Sequence, residues 1–110
     1  MSEIQDLTAA LLKFRDERDW AQFHNAKDLA IALNIESSEL LELFLWKSAE
    51  GADKEKVKEE LADILVYALL LTNKYGFDVR QIMMEKIEKN ALKYPAEKAK
   101  GTATKYTELK

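Results

Sequence analysis

Two short acidic patterns, Glu36-Ser37-Ser38-Glu39 and Glu60-Leu61-Ala62-Asp63, are the residues of this sequence best spaced to do chemistry. Acids three apart share one face of a helix. Either pair alone reads as an ordinary solvated stripe, but two features set them apart. On a helical wheel Ala32, Ile35, Leu43 and Trp46 fall within about 40° of Glu39, so that acid sits inside an apolar arc. Asp63 likewise has Val66, Tyr67 and Leu70 beside it. The pairs are also symmetric about Ala49–Glu50. In an antiparallel hairpin turning there, Glu39 lies level with Glu60, and Glu36 with Asp63. Inward-facing carboxylates are costly unless paired, protonated or bound to a metal. No Lys or Arg stands at the matching positions, so a cation must supply the charge. All-oxygen ligands select Mg²⁺, Mn²⁺ or Ca²⁺. A di-iron site needs Glu-x-x-His pairs, and the only histidine, His24, lies far from both pairs in sequence.

Four helical segments must position these acids. The first runs from Ser2 or Ile4 to Arg18, with Leu7, Leu11, Leu12 and Phe14 on its apolar face. An aromatic link, Asp19-Trp20-Ala21-Gln22-Phe23-His24, leads to a second segment from Asn25, an N-cap residue, to Lys47. Asn34 is a candidate irregularity within it. A turn follows at 48–53, where Asp53 caps a third segment, Lys54 to Tyr75, that Gly76 terminates. Asp78 caps a fourth, which runs to Tyr94 and stops at Pro95. Residues 1–110 thus read as one all-α domain, with 95–110 as a C-terminal tail. Segments two and three are apolar on more than one side; Leu41 and Leu45, for instance, lie across the wheel from Glu39. A helix apolar all round is buried all round, and so short a chain cannot bury two of them alone. A homo-oligomer is expected.

Composition agrees. Glu, Lys, Leu and Ala dominate, with one proline and three glycines, which favours helix. The absence of cysteine excludes disulfides and thiolate metal sites and suits a cytoplasmic protein. The N-terminal residues lack the pattern of a signal peptide, and the longest apolar stretch, Ile64 to Leu71, is too short to span a membrane. The net charge of −3 divides unevenly: residues 86–110 hold seven Lys against three Glu, a balance of +4, and the remainder carries −7. So modest a basic stretch argues weakly for a nucleic-acid polymer; it suits the phosphates of a small anionic ligand equally well.

The order Glu-x-x-Glu, turn, Glu-x-x-Asp resembles the MazG-like nucleotide pyrophosphohydrolases, and within them the dCTP pyrophosphatase subgroup. The resemblance extends over Glu17-Arg18-Asp19-Trp20-Ala21-Gln22-Phe23-His24, Glu39 to Trp46, Glu59 to Tyr67, Lys93-Tyr94-Pro95 and Lys105-Tyr106-Thr107-Glu108-Leu109. The chain departs from the family pattern at Ile35 and Ser38, where small glycines are expected, and at Lys27, where an arginine is.

This resemblance implies a MazG-like four-helix bundle assembled as a homodimer or homotetramer. It implies Mg²⁺ held by Glu36, Glu39, Glu60 and Asp63, with Mn²⁺ as a substitute. Attack of water on the α-phosphorus of a nucleoside triphosphate, dCTP or a modified dCTP, would release pyrophosphate and cleanse the nucleotide pool. A carboxylate not fully committed to metal would activate the water. Trp20 and Trp46 are implied as base-stacking residues, although Trp46 by its wheel position fits core packing as well. His24 would lie near the base or sugar, and Tyr67, one turn from Asp63, under the sugar. Lys86 and Asn90 would face phosphate and metal, with Lys93 one turn further along and Lys105 closing over the substrate. The competing readings are hydrolysis of dUTP or another deoxynucleotide, and a non-enzymatic helical interaction module. The module leaves the mirrored acids and the aromatic link unexplained.

Overall fold

Each long helix begins where a side chain closes its open backbone amides. The computed structural model of the chain describes residues 2–109. Helix α1 (Glu3–Glu17) starts in a capping box: Ser2 Oγ accepts from the Gln5 amide at 3.1 Å, and Gln5 Oε1 accepts from the Ser2 amide at 2.9 Å. Asn25 caps α2 (Ala26–Glu42), its side chain accepting from the Asp28 amide at 2.9 Å. Asp53 caps α3 (Lys54–Tyr75) through the Glu55 and Lys56 amides. Gly76 ends α3 at φ 72, a left-handed turn that glycine adopts without strain, and the Phe77 amide returns to the Thr72 carbonyl at 2.9 Å. Asp78 caps α4 (Val79–Lys93). A short α5 (Ala96–Ala99) and two single 3-10 turns, Ala21–Phe23 and Tyr106–Glu108, complete the regular structure. The described residues are all-helical, without strands, and none of their helices is long and apolar enough to cross a membrane.

The chain divides into two compact units, Met1–Phe77 and Asp78–Lys110. In the first, α2 packs on α3 and α1 packs on α3. Its buried apolar side chains among the described residues are Leu29 of α2 and Leu70 of α3. In the second, the tail folds back on the end of α4. The Tyr94 and Tyr106 rings meet edge to face at 6.1 Å, and the Lys93 ammonium lies 5.0 Å from the Tyr106 ring centre.

Two expectations about the second segment need correction. Asn34 lies inside an unbroken helix, and α2 stops at Glu42 rather than Lys47. Beyond it the amides of Leu43, Phe44, Leu45 and Lys47 each bond three residues back, tightening the chain into successive turns, and Trp46 takes φ 62. Trp46 is therefore not a neighbour of Glu39 along a helix face, whereas Ala32 and Ile35 lie within the helix and Leu43 closes it.

Candidate metal centre and nucleotide pocket

Glu36 and Glu39 lie in the last two turns of α2, and Glu60 and Asp63 in the first half of α3. Between the two glutamates of α2, Ser37 and Ser38 turn their hydroxyls back to the Leu33 and Asn34 carbonyls at 2.9 and 3.0 Å. They are thereby occupied with backbone rather than with the acids. Packing of α2 on α3 then brings Glu36, Glu60 and Asp63 together, each offering a carboxylate oxygen within 4.8 Å of the others. Glu39 stands beside Glu36 but outside that tight triad. Of the mirrored register expected from sequence, the structure brings both acids of α3 to Glu36, while Glu39 adjoins Glu36 outside that triad.

The cluster carries excess negative charge. Among the described residues the ion pairs are Arg15–Asp16 and Lys58–Glu55, and neither touches it. Glu36 Oε2 and Glu60 Oε2 are buried without a hydrogen-bond partner. The Glu36 carboxyl is pushed up to about 7, by burial first and then by the close carboxyls of Glu60 and Glu39 and the charges of Glu39 and Asp63. Buried acceptors without donors, in a group of oxygens small enough to surround one ion, fit a hard divalent cation.

That strain has a pH signature. Folding raises the Glu36 pKa from its ordinary 4.5 to about 7, so the folded state holds the extra proton between those values. Its contribution to stability is full below 4.5 and is lost as pH rises through 7. In a chelator, the melting temperature is expected to fall between pH 5 and pH 8, and millimolar Mg²⁺ to restore it at pH 8 far more than at pH 5. In Glu36→Gln the fall should flatten. A Mg²⁺ shift equal at both pH values would contradict this origin of the strain.

Next to the cluster lies a pocket of about 200 Å³. Leu11, Phe14 and Arg15 of α1, Trp20 and His24 of the link, and Asp63, Val66, Tyr67 and Leu70 of α3 line it. Asp63 belongs to both pocket and acid cluster. The link is shaped to deliver Trp20. Asp19 takes φ 55, a left-handed conformation that aspartate tolerates better than most residues, and the Trp20 amide bonds the Arg15 carbonyl at 3.1 Å. The indole then meets Phe14 edge to face at 5.7 Å, while the Arg18 guanidinium lies 3.7 Å from the centre of the same phenyl ring. His24 is half-buried, and its Nδ1 is buried without a partner. Burial first, and the Arg15 charge second, lower its pKa and keep the imidazole neutral.

Trp46, Lys86, Asn90, Lys93 and Lys105 are not among the residues that line this pocket. Trp46 is fully exposed, at 100%, and does not line the pocket with Trp20. Lys86, Asn90 and Lys93 are exposed on α4, and Lys105 precedes the 3-10 turn of the tail; all four belong to the second unit.

Compared with known proteins, residues 31–109 match the MazG-like family, a span that includes all four acids. The chain belongs to the MazG-like family. This MazG-like chain is 35% identical to dCTP pyrophosphatase 1 of Mus musculus over 96% of its own length and 67% of the relative's. Against dCTP pyrophosphatase 1 of Homo sapiens the identity is 35%, with the same coverage. Its fold is similar to the crystal structure of a pyrophosphatase from Archaeoglobus fulgidus, with TM-score 0.80 and 35% identity, covering 86% of this chain and 94% of that one.

Sequence reasoning missed the contribution of α1 to the pocket. Leu11, Phe14 and Arg15 are spaced for one helix face, and Phe14 was legible as an apolar-face residue. Arg15, one of several charges along α1, carries no signal in sequence that separates it from a solvated arginine.

Proposed function

We propose that this MazG-like chain hydrolyses dCTP and its 5-substituted forms to the monophosphate and pyrophosphate, using Mg²⁺ held by Glu36, Glu39, Glu60 and Asp63. That it is a nucleotide pyrophosphohydrolase follows from its family and from about 35% identity with dCTP pyrophosphatase 1 over most of its length. The observation that carries the finer reading is the double membership of Asp63. The acid cluster opens directly onto an aromatic pocket, so one nucleotide can place its phosphates at the acids and its base among the rings.

Bound there, a divalent cation supplies charge neutralisation for the triphosphate and a more acidic water. The chain's own residues do the rest. Glu36, Glu39, Glu60 and Asp63 would hold the ion, and a carboxylate with a free oxygen would take the proton of the attacking water. Trp20, backed by Phe14, offers a flat surface for the base, and Tyr67 packs beside the sugar, with His24 at the base edge. Trp46 adds a second stacking surface, Lys86 and Asn90 face phosphate and metal with Lys93 one turn further along, and Lys105 closes over the substrate; the family pattern alone supports these five roles. The chain acts as one catalytic domain within a homo-oligomer, on the nucleotide pool of the cytoplasm.

The test is a panel of the eight common nucleoside triphosphates with Mg²⁺, following pyrophosphate against phosphate release. We expect dCTP to have the highest kcat/KM and pyrophosphate to be the inorganic product. A different preferred base would overturn the substrate assignment, and phosphate release would overturn the reaction.

A further inference from the structure

Arg15 is a charged side chain in a pocket otherwise lined mainly by aromatic and aliphatic groups, and the proposed chemistry gives it no role. Its side chain is only 22% exposed. The exposed Asp16 pairs with it: Nε and Nη2 both lie 2.8 Å from Asp16 Oδ1. A guanidinium has five N–H donors and no acceptor. With Nε and one side of Nη2 turned to Asp16, the end of the fork, one N–H each from Nη1 and Nη2, has no protein partner among the described residues, in a side chain that lines the pocket. Such a parallel donor pair matches two adjacent acceptors on a planar group.

We infer that Arg15 selects the base, its guanidinium fork donating to the adjacent acceptors O2 and N3 of cytosine while Asp16 fixes the fork's orientation. This rests on the proposed dCTP reading. Uracil and thymine present O2 beside an N3–H, so one arm of the fork would meet a donor instead of an acceptor. His24 lines the same pocket, but its Nδ1 is buried and adds no acceptor to the pocket surface. Two donors on the protein face two adjacent acceptors on the base. A site whose buried polar groups would be left unpaired by the wrong base rejects it.

A phosphate grip is the other use of an arginine here, and it makes a different prediction. The measurement is kcat/KM for dCTP, dUTP and dTTP with Mg²⁺ in the wild-type chain, Arg15→Gln and Arg15→Lys, with thermal unfolding to establish that both variants fold. Both variants are expected to lower the dCTP-to-dUTP ratio by about tenfold or more, chiefly through the KM for dCTP. Lysine keeps the charge but not the fork. An equal loss on all three nucleotides, an unchanged ratio, or rescue of the ratio by lysine would overturn the assignment of base selection to Arg15. A wild-type chain that does not prefer dCTP would overturn the substrate reading itself, before any variant is compared.

Discussion

Glu39→Gln and Asp63→Asn are each expected to lower kcat/KM by about a hundred- to a thousandfold, with helicity unchanged. Each replaces a charged oxygen by an amide of nearly the same volume, so packing survives while the charge that holds a cation is lost. Metal-derived charge stabilisation is worth several kcal/mol, and each 1.36 kcal/mol is about a factor of ten in rate. Asp63 is exposed, and Glu39 stands beside the crowded Glu36, so neither loss exposes a core. Removing a negative charge from that cluster should even raise the melting temperature in chelator. Circular dichroism alongside steady-state kinetics checks both parts. Near-normal turnover in either variant would remove the four-carboxylate arrangement as the reaction's foundation.

The second large effect concerns assembly. Leu41 is 65% exposed and Leu65 63%, while Leu29 and Leu70 are the buried apolar side chains among the described residues. A 110-residue chain with so small a private core gains little from folding alone. Exposed leucines on both α3 and the α2 side of the bundle are the surface that a second copy would cover. Light scattering is expected to give at least twice the 12.7 kDa chain mass, with a tetramer favoured. Leu65→Glu, which places a charge in that surface, should weaken association by about a hundredfold or more. A wild-type monomer at micromolar concentration would contradict this, as would an assembly indifferent to Leu65→Glu.

The sequence revealed the elements more fully than the way they meet. Asn25, Asp53, Asp78 and Gly76 announce helix ends because capping is local chemistry, and each does so in the structure. The end of α2 was not legible. Leu43-Phe44-Leu45-Trp46 continues a helix-like apolar run with no glycine or proline, and only the tightened turns after Glu42 break it. That displacement takes Trp46 off the helix face and leaves it fully exposed. The acid cluster was readable because two i,i+3 pairs and a short connection determine which helix faces meet. Which of the four acids would be most crowded depends on helix rotation, which spacing does not encode; hence Glu36, and not Glu39, sits at the centre. Arg15 was invisible for a related reason. Its importance comes from what the link and α3 place around it.

The most direct measurement is the fate of solvent oxygen during dCTP hydrolysis in ¹⁸O-water with Mg²⁺. Attack on the α-phosphorus predicts one label in dCMP, none in pyrophosphate, and no turnover in excess chelator. Label in pyrophosphate, release of phosphate, or turnover that persists in chelator would contradict a carboxylate-held metal site directing water to the α-phosphorus.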